Sequence, residues 1–265
     1  MRVIDIVKSD PVIIGLAAGG SWIGEELDEF SDLDLVLVTR EKIGTREKML
    51  AFAQSFGNLL SGFTGEHVGE PRLLVCLYND PLLHVDIKFV TPEEFQTRVE
   101  NPVILFEREG KLSNIISATQ PNWPHPDPQW IEDRFWTWVH YIAGKIGRGE
   151  YFDTLSSIDY LRANVLSPLM QVKNKQLPRA LRKVEFSLPN KDLEHLKKTV
   201  ASYDRNTLLK ALDESITKYL ELRKEVYPAT TILQATVQKK SLEYLEKIKQ
   251  NINVKWDTNF FSCFF

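Results

Sequence analysis

The chain has 265 residues, of which 43% are hydrophobic and 26% charged, with 33 basic and 36 acidic side chains giving a net charge of -3. These proportions suit a folded chain of one large or two modest domains and exclude wholesale disorder and collagen-like repeats. The slightly acidic balance disfavours a protein that binds nucleic acid across its whole surface. Cys76 and Cys263 lie too far apart in sequence to suggest a metal-ligand pair or a disulfide framework. The N-terminal MRVIDIVKSD is too charged for a signal peptide, and no apolar run approaches the ~18–20 residues of a membrane span. The chain reads as a cytoplasmic protein with no membrane partner.

In chain order, the first half shows short apolar runs separated by turns. Val12–Ala18 and Leu33–Thr39 are strand-like, being short, rich in β-branched residues and bounded by Gly, Ser or charge. Thr45–Leu60 has helical spacing through Met49, Leu50, Ala53, Phe56 and Leu60, with Thr45 as N-cap. Arg72–Tyr78 and Leu82–Val90 are two further strands joined by the turn-forming Asn79-Asp80-Pro81. Thr91-Pro92-Glu93-Glu94 opens a helix, and Val103–Glu107 is a weaker fifth strand.

Residues 121–128 read PNWPHPDP, four prolines in eight positions, and form an extended linker because proline lacks an amide donor and fixes φ. Beyond it the period becomes helical. Trp130–Gly147 carries Ile131, Phe135, Trp138, Val139 and Ile142 on one side, and helices are expected near Thr154–Val172, Asp192–Ser202, Asn206–Val226 and Ile232–Ile252. Breaks containing Pro168, Pro178, Pro189 and Pro228 delimit them. The apolar tail WDTNFFSCFF is expected to pack on a partner helix or subunit. The expected architecture is α+β: a mixed β-sheet domain with flanking helices over residues 1–120, then an all-helical domain over 129–252.

The chemistry concentrates in AGGSWIGEELDEFSDLDLVLV, residues 18–38. A strand ends in Gly19-Gly20-Ser21, where glycine allows close approach of a phosphate and amides at the start of a following helix favour negative charge. Ser21 adds a hydroxyl donor. Ten residues later, Asp32 and Asp34 stand at i and i+2 on an apolar strand, so their carboxylates share a face. Two such carboxylates repel each other unless a cation lies between them, and Mg²⁺ favours oxygen ligands that bridge to phosphate. The alternative is that the pair caps a strand end in solvent. Asp86 is a third acid, in the otherwise apolar run Leu82–Val90, and a lone acid there is costly unless paired or metal-bound.

Gly-Gly-Ser, ten residues, Asp-Leu-Asp and an isolated Asp on a later strand resemble the DNA polymerase β-type nucleotidyltransferase superfamily. Within it, length and the helical second half are most similar to bacterial aminoglycoside and lincosamide nucleotidyltransferases. The motif resemblance spans roughly residues 12–90, with the phrase Lys145-Ile-Gly-Arg-Gly-Glu150 adding to it in the helical half. It implies that Gly20 and Ser21 hold a triphosphate. Asp32 and Asp34 then ligate Mg²⁺ or Mn²⁺, and Asp86 completes the metal site or deprotonates the acceptor. The implied reaction moves a nucleoside monophosphate, AMP from ATP, onto a hydroxyl of a small molecule, with antibiotic resistance as the implied role. Rival readings are a transferase acting on a protein or RNA, and a degenerate regulatory or antitoxin-like module that binds nucleotide without turnover.

Several residues keep more than one reading. Lys88, two positions after Asp86, contacts phosphate or joins a salt bridge, or else partly replaces a metal's charge and weakens metal binding. Lys145 and Arg148 contact the triphosphate tail or simply sit at a helix C-terminus, where cations are favoured. Glu132 and Asp133 are expected to favour a helix N-terminus, leaving the acceptor's base unassigned. Trp136 or Tyr141 lines a sugar- or base-stacking surface. His84 and His140 are structural, and the acidic Glu25, Glu26, Asp28 and Glu29 are a solvated loop or an attractant for a cationic substrate. A homodimer is left open.

Overall fold

The computed structural model describes residues 3–250 and divides into two compact units between Trp123 and Pro124. The first unit is built on six strands: β1 (Ile13–Ala18), β2 (Leu33–Thr39), β3 (Leu59–Gly65), β4 (Glu70–Tyr78), β5 (Leu83–Val90) and β6 (Val103–Glu107). Its helices are α1 (Val3–Ser9), α2 (Arg46–Phe56), α3 (Pro92–Phe95) and α4 (Lys111–Ala118). The sheet order is β3-β4-β5-β2-β1-β6, and the β2–β5 pair is parallel while its other pairs are antiparallel.

Alternation along the strands sorts their side chains into two apolar layers. Leu35 and Leu37 of β2 pack with Val85, Ile87 and Phe89 of β5, Leu74 and Cys76 of β4, Val7 of α1, and Met49 and Ala53 of α2. On the opposite face Ala17, Val38 and Val90 meet Phe95 of α3 and Leu112 of α4. Val38 and Val90 are register partners across the parallel pair, so this second layer covers that end of the face. Asp34 and Asp86 occupy the same face four residues earlier on each strand.

The expected helix over Thr45–Leu60 stops at Phe56. Thr45 does cap it, its hydroxyl accepting from Lys48 N, but Gly57 ends it and Leu59 starts the edge strand β3. That strand, LLSGFTG, carries Ser and two Gly residues that mask its pattern, and it forms because β4 supplies backbone partners along its length. The hairpin expected at Asn79-Asp80-Pro81 is present, with Tyr78 opposite Leu83.

The second unit is helical: α5 (Pro128–Arg148), α6 (Tyr151–Leu161), α7 (Ser167–Lys173), α8 (Val184–Ser187), α9 (Asn190–Lys198), α10 (Arg205–Val226) and α11 (Ala235–Lys249). Pro128 belongs to α5 rather than to the linker, because Asp127 caps the helix through Gln129 N and Trp130 N and proline is tolerated in a first turn. The helix expected over Thr154–Val172 is interrupted by a π turn, Arg162–Leu166, which precedes Pro168 and accommodates its missing amide. The expected helix over Ile232–Ile252 begins only at Ala235, and its last two residues, like the apolar tail, lie outside the described residues. Among the described residues no helix is long and apolar enough to cross a membrane.

Two buried carboxylates tie these helices together. Glu132 of α5, expected as a helix-end charge, is wholly buried instead. It accepts from Tyr219 Oη (2.5 Å) and Arg223 Nη1 (3.1 Å) of α10, from Trp136 Nε1 (3.2 Å), and from Gln234 N (3.0 Å). Asp192 of α9 accepts from Lys218 (2.8 Å), Lys173 (2.9 Å) and Asn174 (2.8 Å). Burial alone would raise the Asp192 pKa, but these donors outweigh it and draw it down from 3.8 to about 2.

A depressed pKa contributes stability that is present above the unfolded value and lost as pH falls through the folded one. Asp192→Asn should therefore cost about 3 kcal/mol at neutral pH, by removing the buried partner of the Lys218 ammonium and leaving it only the half-exposed Glu221 at 3.2 Å. It should also flatten the loss of stability between pH 3.8 and about 2. Urea unfolding at several pH values measures both; a variant matching the wild type in midpoint and acid limb would refute this role.

Candidate active site

The candidate site lies within the first unit, where β1, β2 and β5 run side by side. Asp34 and Asp86 are direct register partners across the parallel β2–β5 pair. Both are half-buried, and their neighbours in sequence, Leu35 and Ile87, point into the opposite apolar layer. The acids are thus held by the packing of the residues between them. Asp32 immediately precedes β2, which begins at Leu33 as expected.

Beside Asp34, β1 runs out into the Gly19-Gly20-Ser21 turn. Gly19 N donates to Asp34 O at 2.8 Å, extending the β1–β2 ladder by one residue past Ala18 and Leu35. The chain then makes a single 3₁₀ turn, Gly20–Trp22, and not the helix whose amides were expected to favour an anion. Gly20 has φ +57°, a left-handed conformation, and a Cβ built there would stand 1.9 Å from Asp34 Oδ2. The glycine therefore leaves room for the Asp34 carboxylate itself. Ser21 is held in the same turn by Glu26 N donating to its carbonyl at 2.9 Å.

Two neighbours of the site were not found by pattern. Glu100, in the segment before β6, accepts from Gly20 N at 3.2 Å. It sits 80 residues from its partner in a run, Val99-Glu100-Asn101-Pro102, that has no periodicity. His84 lies one strand alternation before Asp86, and its Nε2 stands 2.9 Å from Asp86 Oδ1. The i, i+2 spacing of His84 and Asp86 was the available signal for that pair. His140, in contrast, stacks on Tyr244 with ring centroids 4.4 Å apart, a structural contact.

The expected cations are held by acids. Lys88 pairs with Glu70 at 2.8 Å, which places it in a network with Arg72 and, through Arg72, Glu94. Hydrogen bonding from Arg72, and less strongly from Lys88, draws the Glu70 carboxyl from 4.5 down to about 2. In the second unit Lys145 pairs with Glu150 (2.5 Å) and Asp153 (2.6 Å), and Asp153 followed by Glu150 raises its pKa. Arg148 pairs with Glu150 at 2.7 Å.

Of the two aromatic candidates, Trp136 is core, 1% exposed and packed against Tyr219, while Trp138 is only partly buried. The expected face of α5 is the buried one, with Ile131, Phe135, Val139 and Ile142 in the core and Trp138 packed against it, and Glu132 and Trp136 widen it by turning inward together. Tyr141 is exposed and, with Trp138 and Tyr160, walls a cavity of about 310 Å³. The acidic residues Glu25, Glu26, Asp28 and Glu29 lie in an exposed loop.

Among the described residues no group of three or more His, Cys, Asp or Glu side chains is gathered closely enough to hold a metal ion by itself. Mg²⁺ does not need such a cage; it is usually held by one or two carboxylates and completed by water and substrate phosphates. The Asp34–Asp86 pair is a donor set of that kind.

Fold and site together define a class: an α+β unit with paired carboxylates beside a glycine turn, followed by a helical unit. Among solved structures the chain is similar to an aminoglycoside 6-adenyltransferase from Bacillus subtilis. The two are 16% identical over 93% of this chain and 95% of that one, with a TM-score of 0.39. It is also similar to a nucleotidyltransferase-like protein from Exiguobacterium sibiricum 255-15, 13% identical over 97% of this chain and 80% of that one, with a TM-score of 0.38. No family model and no curated protein matches the chain.

The two glycines respond differently to an added methyl group. Gly20→Ala combines a left-handed residue with the clash on Asp34 and should cost at least about 1–2 kcal/mol. Gly19→Ala has φ -109° and meets Asp34 Cβ at an ordinary 3.7 Å, so it should be close to neutral. Urea unfolding of both variants checks the contrast, and equal midpoints would contradict the geometry of the turn.

Proposed function

We propose that this chain is a metal-dependent nucleotidyltransferase that moves AMP from ATP to a hydroxyl of a small molecule such as an aminoglycoside-like compound. The observation that supports this most directly is the in-register Asp34–Asp86 pair beside the Gly20 turn. Two carboxylates aligned on neighbouring strands repel each other, and that repulsion is relieved when they share a cation. Asp34 and Asp86 would hold Mg²⁺ or Mn²⁺, with Asp32 adjoining. When bound, the ion supplies charge neutralisation at the triphosphate and at the attacking oxygen.

The chain's own groups do the rest. The Gly20 amide and the Ser21 hydroxyl receive phosphate oxygens at the end of β1. Asp86, supported by His84 at 2.9 Å, is the acceptor for the hydroxyl proton. The deprotonated oxygen forms its bond to the α-phosphorus as the bond to the bridging oxygen breaks, and pyrophosphate leaves. Rate enhancement comes mainly from positioning and from charge neutralisation. A phosphate role for Lys88 means exchanging its Glu70 partner for a phosphate oxygen.

The test is pyrophosphate release from each nucleoside triphosphate with Mg²⁺ or Mn²⁺ against aminoglycosides, lincosamides and simple sugars. Acceptor-dependent release is expected, reduced at least about a hundredfold in Asp34→Asn and Asp86→Asn while both stay folded by circular dichroism. Near-normal turnover in either variant would overturn the metal assignment. ATP binding without acceptor-dependent release would favour a nucleotide-binding regulator.

A further inference from the structure

Glu100 stands where the proposed function needs a phosphate. Its Oε1 accepts the Gly20 amide at 3.2 Å and lies 4.0 Å from the position of a Cβ on Gly19. Asp34 Oδ2 crowds the same residue, 1.9 Å from where a Gly20 Cβ would be. One backbone amide is thus already engaged by a carboxylate, with a second carboxylate beside the same residue. An amide hydrogen serves one strong acceptor well, so a phosphate oxygen and the Glu100 carboxylate compete for it.

The segment that carries Glu100 is firmly attached. Two residues earlier, Arg98 donates from Nη1 to Thr119 Oγ1 (2.6 Å) and from Nη2 to Thr119 O (2.8 Å), at the C-terminal end of α4. Its Nε donates to Asn101 Oδ1 (2.7 Å), spanning Glu100 itself, and its carbonyl accepts from Asn122 N (2.9 Å). With the neighbouring backbone held in this way, leaving Gly20 requires a rotation of the Glu100 side chain.

We propose that Glu100 is an internal anion seated on the phosphate-binding amide, and that nucleotide affinity is set by the need to displace it. This rests on the reading of Gly20 as a phosphate contact. A phosphate arriving at Gly20 meets the negative charge of both Glu100 and Asp34. Rotation of the Glu100 side chain away from the turn frees the amide hydrogen and removes one of two repulsive contacts. Glu100 thereby belongs to the specificity of the site without taking part in the transfer step.

The experiment is calorimetric titration of the full chain and of Glu100→Gln and Glu100→Ala with ATP in the presence of Mg²⁺. Glutamine keeps an acceptor oxygen and drops the charge; alanine drops both. Binding to Glu100→Ala should be about five- to tenfold tighter than to the wild type, the scale of one net hydrogen bond. Amide exchange at Gly20 in the ligand-free variant should also be faster. A residue serving only the fold could not tighten binding when removed. If the wild type binds and both variants bind equally or more weakly, the displacement is wrong and the nucleotide reading stands. If no form binds although all are folded by circular dichroism, the nucleotide reading fails and this proposal with it.

Discussion

The parallel pairing of β2 with β5 is the constraint on which the candidate site depends. In that register Asp34 faces Asp86, Val36 faces Lys88 and Val38 faces Val90, all on one side of the sheet. The intervening Leu35, Leu37, Val85, Ile87 and Phe89 fill the other side with Met49 and Ala53. A slip of one residue would turn those apolar side chains outward and the acids into the core, so packing specifies the register strongly. The hydrophobic layer behind the two carboxylates sets their strand positions despite their mutual repulsion. Gly20 completes the arrangement by leaving space for Asp34 where any side chain would collide with it.

Charge is handled differently in the two units. Around the sheet, Lys88, Glu70, Arg72 and Glu94 form a partly exposed chain of ion pairs whose energetic value solvent reduces. In the helical unit, Glu132 and Asp192 are almost fully buried, and each accepts from several donors on other helices. Buried charges of this kind are tolerated because every one has partners, and removing a single partner leaves the rest exposed to a low dielectric. They fix which helices meet, α5 with α10 through Glu132 and α9 with α10 through Asp192.

Much of the fold was legible because two physical periods are visible without tertiary information. Alternating or continuous apolar runs marked β1, β2, β4, β5 and β6, and 3.6-residue spacing marked α2, α5 and α10. The strand β3 was not legible, since Ser61, Gly62 and Gly65 erase its alternation and only pairing with β4 makes it a strand. Short α1 and α4 went unseen for want of length. The inward face of α5 was legible through Ile131, Phe135, Val139 and Ile142, but the burial of Trp136 was not, because a hydrogen bond to the buried Glu132 accompanies it.

By itself the sequence determined the α+β order of elements, the position of the Gly-Gly-Ser turn, and the isolation of Asp34 and Asp86 within apolar strands. These follow from local spacing, and local spacing survives in one dimension. The tertiary structure alone decided that β5 lies beside β2 with its acid opposite Asp34, and that Glu100 reaches Gly20 across 80 residues. Strand order and long-range hydrogen bonds depend on how apolar surface is shared among distant segments. No residue's neighbours in sequence carry that information.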